Sequence, residues 1–268
     1  MTVTRTLTIR LLGRLEVRAG RTPLRISGRH GQALVALLAL RPRQRLRDAI
    51  AADLWPDLDG PSAAALRQAL WVLRSTFTAA GLAADDWLAA DLDTLGLHRS
   101  VDLDLDTERF ERLMLADDPD DAENAVRLYR GDLLEGLGHE CFAAERERLS
   151  DLYEDLLATV AERRLERGDV RGARRAATEL LARDSLREEA HAVLIAIYGR
   201  SGSRSQVARQ YRRLCGILHA ELAVSPLPET DAVYRIALDG ATARSRDRVA
   251  ELGYKRSGAF TPVLVSSA

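Results

Sequence analysis

The sequence predicts a mainly α fold, in which a short α+β N-terminal part is followed by an all-α region of repeated helices. Three observations predict it. Apolar residues alternate with polar ones only near the N-terminus and again around residue 90, which is the two-residue period of half-buried strands. Between these stretches, Leu66, Leu70, Leu73 and Phe77 recur at helical spacing. Further on, a 34-residue offset relates Gly168 to Gly202, Ala161 to Ile195, Ala173 to Val207, Ala177 to Tyr211 and Leu180 to Leu214, the period of stacked helical hairpins.

Leu7, Ile9 and Leu11, then Leu15 and Val17, then Leu24 and Ile26 predict short antiparallel strands at 6–12, 14–18 and 23–26, with turns at Gly13 and at Gly20–Pro23. Arg29 to Leu40 reads as a strongly apolar helix stopped by Arg41-Pro42. Its basic entry, Arg29 and His30, suits either phosphate at a helix N-terminus or a plain solvated cap. A second, shorter helix, 48–55, ends at Pro56, and Trp55 is expected in the core. The turn through Asp57, Asp59, Gly60 and Pro61 leads to a third helix over 62–80, with Ser62 as its cap and Gly81 at its end. Three helices in this order, the last two joined by a short turn, make a helix-turn-helix. Trp87–Ala90 and Thr94–Leu97 then read as a hairpin, the wing of a winged helix.

The 62–80 helix commits one face to a core, and the other presents Arg67, Gln68, Trp71, Arg74, Ser75 and Thr78 without one acid along its length. Such a face is either ordinary solvated surface or a reader of the DNA major groove, where Arg bonds guanine edges and Gln pairs with adenine. Arg67, Gln68 and Trp71 share the turn that reaches base edges. Arg74 lies further along, and Arg29, Arg43, Arg45 and Arg99 are placed for phosphate. Trp71 suits a thymine methyl or sugar, or burial against a neighbouring domain. Asp85, Asp86, Asp91 and Asp93 crowd the wing, so it is expected to turn away from phosphate or to contact it little.

Charge is nearly balanced over the 268 residues, at a net of -1, but unevenly distributed. In residues 1–80 arginine outnumbers the acids Glu16, Asp48, Asp53, Asp57 and Asp59 more than twofold, whereas acids exceed bases beyond residue 100. A basic block joined to an acidic remainder fits a polyanion-binding domain attached to a protein-binding one. Lys255 is the only lysine, a sign of GC-rich coding that weakens arginine abundance as a mark of nucleic acid. No apolar run approaches a membrane span and no signal-peptide segment opens the chain, so the expectation is a soluble cytoplasmic protein without membrane contact. Cys141 and Cys215 stand alone and read as reduced, partly buried small hydrophobes. His139-Glu140-Cys141 lacks a third metal ligand at a recognisable spacing, the other histidines are scattered, and no Walker-type glycine loop is present. The expectation is therefore no catalytic residue, no metal and no cofactor.

From Val101 alternation gives way to helical periodicity, which puts a domain boundary at 98–106. The divisions are 1–100 for the winged helix, 101–240 for the tetratricopeptide-like domain, and 241–268 as a mobile tail without a core pattern. Helices are expected at 106–115, 120–129, 140–167, 169–183, 187–200, 203–221 and 229–239, with a break at Gly131–Gly136.

Four motifs carry a family resemblance over most of residues 5–240. They are Leu54-Trp55-Pro56-Asp57 before the third helix, Ala65-Leu66-Arg67-Gln68-Ala69-Leu70 with Leu73-Arg74 inside it, Leu128-Tyr129-Arg130-Gly131-Asp132-Leu133-Leu134-Glu135, and Ala144-Glu145-Arg146-Glu147-Arg148-Leu149. The chain resembles the Streptomyces antibiotic regulatory protein (SARP) family, which joins an OmpR-type winged helix to a bacterial transcriptional activator domain. The resemblance implies a homodimer or paired protomers on direct repeats of double-stranded promoter DNA. It also implies recruitment of RNA polymerase, often through its sigma factor, at specialised gene clusters such as those for antibiotic biosynthesis. The turn holding Asp57 and Asp59 resembles the loop that OmpR-type activators offer to polymerase, or is simply a solvated turn. A helical-repeat scaffold or effector-binding protein whose winged helix no longer reads DNA is the competing reading.

Overall fold

The computed structural model describes residues 5–56, 62–115 and 118–251, and they form two compact units divided inside one helix, between Leu156 and Leu157.

In the first unit, β1 (Arg5–Arg10), β2 (Glu16–Ala19) and β3 (Thr22–Leu24) form an antiparallel meander, shorter at its ends than the alternation suggested. Leu7 faces Ala19 and Ile9 faces Val17, so one face of the meander is apolar and buried. Helix α1 (Arg29–Leu40) follows, then the two-residue strand β4 (Arg45–Leu46), α2 (Arg47–Leu54) and α3 (Ser62–Ala79). α3 packs on α1 and α2 and buries Leu66, Ala69, Leu70, Leu73 and Phe77, the stripe read from the sequence. Ser62 is the first helical residue of α3 rather than its cap. Gly81, at φ 74, ends the helix with the amide of Leu82 bonded to the carbonyl of Phe77 at 2.9 Å.

The hairpin is present as β5 (Leu88–Ala90) and β6 (Thr94–Leu97), and β6 also pairs with β4 to make a three-stranded sheet. The Trp87 ring before it stacks on Phe77 of α3 at 5.6 Å. Together these elements are a winged helix.

The region from Val101 departs from expectation, because β7 (Val101–Leu105) extends the first sheet to the order β3-β2-β1-β7. It runs parallel to β1, with Leu103 opposite Leu7 and Leu105 opposite Ile9. Its charged residues pair along the strands: Arg10 binds Asp104 at 2.9 Å and Thr6 donates to Asp102 at 3.4 Å.

Asp106 then opens α4 (Asp106–Met114) with a buried carboxylate, 2 % exposed, which accepts from the amides of Leu11 at 2.8 Å and Leu12 at 3.0 Å. After α5 (Pro119–Leu128), the segment Asp132–Glu135 pairs with the same stretch of chain. The amide of Gly13 donates to Asp132 at 3.1 Å, and the amides of Leu134 and Glu135 donate to Leu11 and Gly13, each at 2.8 Å. These bonds consume the backbone groups that would have carried β1 on to residue 12.

The family motifs thereby acquire structural reasons. Leu133 and Leu134 are buried beside this clasp, and Tyr129 stacks on Tyr153 at 3.9 Å while donating its hydroxyl to Asp132. Arg146 donates to the carbonyls of Leu133 at 3.0 Å and Leu137 at 2.9 Å. A 3-10 turn, Glu140–Phe142, precedes α6 (Ala143–Glu166), which starts slightly later than expected.

The second unit holds the end of α6 with α7 (Val170–Arg183), α8 (Glu188–Arg200), α9 (Arg204–Leu222) and α10 (Pro228–Glu251). The 34-residue correspondence is visible in the packing. Ala161 and Ile195, Ala173 and Val207, and Leu180 and Leu214 are all fully buried, and Ala177 is buried where Tyr211 stacks on Tyr234. Gly168 and Gly202 take positive φ, 83 and 74, at the two turns between paired helices. α8 meets α10 so closely that a Cβ on Gly199 would lie 2.7 Å from that of Ala237. α10 continues well past residue 239, to Glu251. Ala241 is buried, and Arg244 donates to the carbonyl of Gly199 at 3.2 Å. The rest of the predicted tail, 252–268, lies outside the described residues.

Candidate nucleic-acid interface

The position of the α3 surface follows from its buried stripe. With Leu66, Leu70, Leu73 and Phe77 fixed against α1 and α2, the helical period turns Arg67, Gln68, Trp71 and Arg74 outward, and all four are exposed. Trp71 retains 67 % exposure, so within its own unit it does not cover the helix. Arg67 lines a cleft of about 410 Å³ between α3, the start of α2 and the wing tip, shared with Leu46, Arg47, Leu92 and Asp93. Arg67 and Gln68 have no hydrogen bond or ion pair among the described residues, so both side chains keep their donors available.

The positions predicted for phosphate differ in their freedom. Arg29, Arg43 and Arg99 are exposed without an ion pair among the described residues. Arg45 is held by Asp53 at 2.8 Å, a carboxylate that Arg41 also binds at 2.5 Å. Arg74 pairs with Asp85 at 3.2 Å, both side chains largely exposed. Such a pair is weak, so Arg74 is not a locked group. Asp57 and Asp59, the polymerase-loop positions, lie outside the described residues.

The acidic wing is less repulsive than its composition suggests. Asp85 lies against Arg74, and Asp86 against Arg5 at 3.0 Å, so each has a cation beside it. Asp91 accepts from the amides of Asp93 at 2.9 Å and Thr94 at 2.6 Å and from the Thr94 hydroxyl at 2.8 Å. The Thr94 amide leads these donors in holding the Asp91 carboxyl below the usual carboxylate range. The turn they fix points Leu92 into solvent, 93 % exposed, a feature unmarked in the sequence by anything beyond an apolar residue between two aspartates.

His139, Glu140 and Cys141 show no assembled metal or nucleophile chemistry. Among the described residues no cluster of three His, Cys, Asp or Glu side chains is arranged around a metal position, and burial pushes the Cys141 thiol up, away from the thiolate. His30, read as a phosphate contact or a solvated cap, rests on the Trp55 ring with centroids 5.1 Å apart. No described helix is long and apolar enough to cross a membrane.

A helix with a donor-rich, acid-free exposed face thus belongs to a winged helix that precedes stacked helical hairpins in the chain. Residues 105–238, half of the chain, match the family model of the bacterial transcriptional activator domain, and the chain belongs to that family. With its winged helix it has the domain order of the SARP regulators, a family of transcriptional activators rather than enzymes. Among solved structures it is similar to Mycobacterium tuberculosis EmbR in complex with a low affinity phosphopeptide. Identity is 23%, the TM-score is 0.68, and the match covers 93% of this chain and 71% of that one, a likeness of fold. No curated protein matches the chain.

Proposed function

We propose that this activator binds double-stranded promoter DNA by inserting α3 into the major groove, with Arg67, Gln68 and Trp71 at base edges and Arg29, Arg43, Arg45, Arg74 and Arg99 on phosphate. The observation that carries the reading is the acid-free outer face of α3, with Arg67 and Gln68 exposed and their donors uncommitted among the described residues. A groove-inserted helix needs such donors, because base readout is hydrogen bonding to groove edges. Two protomers occupy direct repeats near the promoter, and polymerase is recruited through its sigma factor, with Asp57 and Asp59 in the contacting loop. Specialised gene clusters are the targets, and the cytoplasm is the place of action. Residues 1–100 serve as the DNA-reading part and 101–240 as the activator part.

A scaffold reading is favoured by one observation, the exposed Leu92 at the wing tip, which suits a protein surface better than a phosphate backbone. Retardation of promoter DNA in a gel over a salt series separates the two. The DNA reading expects binding whose affinity falls steeply and linearly on logarithmic axes as salt rises. The scaffold reading expects no retarded band at any salt.

A further inference from the structure

A cleft of about 570 Å³ opens where the N-terminus of α1 faces the end of α2 and the turn before α6, and its polar lining is Arg29, His30, Trp55, His139 and Glu140. Its donors greatly outnumber its acceptors. The twelve-residue α1 starts without a side-chain cap and without an acid in its first turn, so the positive end of its dipole and its leading amides are uncompensated. Trp55 is only 7 % exposed, yet its indole N–H has no acceptor among the described residues, and the buried Nδ1 of His139 likewise has no partner among them. Buried polar atoms in a native fold are nearly always satisfied, so two orphans beside one uncapped helix mark a site awaiting a partner. Among the described residues, Glu140 is the one carboxylate on the wall.

We propose that this cleft binds a phosphoryl oxyanion. Amides of the first turn of α1 and the Arg29 guanidinium take its outer oxygens, and the Trp55 indole and the His139 ring supply the inner donors. A tetrahedral oxyanion offers more acceptor positions than a carboxylate and so matches this surplus of donors better. The exposed His30 ring, lying on Trp55, is the cover that turns aside on binding. The cleft exceeds a bare phosphate in size and has apolar wall from Leu54 and Pro56, so the anion is an ester: a free phosphorylated metabolite or a phosphodiester of DNA. Only the second source rests on the DNA reading.

The test is titration of the 15N-labelled full chain with inorganic phosphate at constant ionic strength, following the indole N–H resonances of its three tryptophans. The Trp55 resonance should shift saturably while those of Trp71 and Trp87 stay. Arg29→Ala should weaken binding about tenfold, and Glu140→Gln should tighten it; both positions are exposed, so the variants keep the fold. Adding promoter duplex identifies the source: release of phosphate assigns the site to the DNA backbone, and retention beside bound duplex assigns it to a free ester. Saturable phosphate binding without any duplex binding would leave this site standing while the DNA reading fell. A Trp55 resonance that does not saturate, or an Arg29→Ala variant that binds phosphate as the parent does, overturns the proposal.

Discussion

Replacing Asp106 by alanine removes the one carboxylate that ties the start of α4 to the end of β1. Its two oxygens satisfy the amides of Leu11 and Leu12 in a site without water access. Leaving a buried donor unpaired costs about 1 to 3 kcal/mol, so two such amides set an upper figure of about 6 kcal/mol. Part is recovered, because alanine also removes a carboxyl whose burial disfavours its charged form, the leading cause that pushes it up despite the Leu11 and Leu12 amides. A net loss of about 2 to 4 kcal/mol is expected for Asp106→Ala. Asp106→Asn keeps one acceptor oxygen and should lose roughly half as much. Urea unfolding followed by tryptophan fluorescence isolates the effect, since Trp55, Trp71 and Trp87 all lie in the first unit. If Asp106→Ala unfolds at the parent's midpoint, or if Asn costs as much as Ala, the two-amide bridge is not what stabilises this junction.

Three further outcomes follow from the geometry. Ala177→Phe, at a fully buried position of α7, should destabilise the repeat unit by about 1 to 3 kcal/mol through overpacking, and an unchanged thermal midpoint of that unit would contradict its packing. His191 is buried, its Nε2 donating to the Ser185 carbonyl at 3.1 Å and its Nδ1 accepting from Gln210 at 2.9 Å, and burial leads in lowering its pKa from 6.5. The unfolded chain therefore takes the proton first: the stability from neutral His191 is whole above pH 6.5 and is lost as pH falls from there through the folded pKa. Its ring should titrate below 6.5 by NMR, and a midpoint at or above that value refutes the assignment. Asp85→Ala releases Arg74 from its 3.2 Å partner and removes a competing charge near the wing, so affinity for operator and scrambled DNA should rise alike with the salt slope little changed, because Arg74 is already a phosphate contact; an unchanged affinity would mean that Arg74 does not reach phosphate.

The parts of the fold that were legible in the sequence are those set by local period. The α3 stripe, the wing hairpin and the paired helices each repeat their apolar residues at the spacing that their secondary structure demands. Pairings across long stretches of chain were not legible. Val101, Leu103 and Leu105 do alternate, but the intervening aspartates look like a charged linker until Arg10 and Thr6 are found beside them. Asp106 resembles any helix-opening acid, and only the Leu11 and Leu12 amides, about ninety-five residues earlier, make it structural. The fit of α10 on α8 was equally hidden, because it rests on two small residues, Gly199 and Ala237, that carry no apolar period. At the interface, the residues of the exposed face could be enumerated from periodicity. The commitment of Arg74 to Asp85 and of Arg45 to Asp53 could not, since each depends on a partner from another turn or element.

The central claim, that α3 reads DNA and divides its work by position, is tested most directly by the affinities of Arg67→Ala and Arg74→Ala for operator and scrambled duplex across a salt series. Arg67, unpaired among the described residues and lining the wing cleft, should contact a base: its loss should cost about 1 to 3 kcal/mol on operator DNA, little on scrambled DNA, and relax preference at one base pair. Arg74 should contact phosphate: its loss should weaken both duplexes alike and reduce the salt slope by about one. If neither substitution changes either affinity, α3 is not the reader and the winged helix serves another purpose.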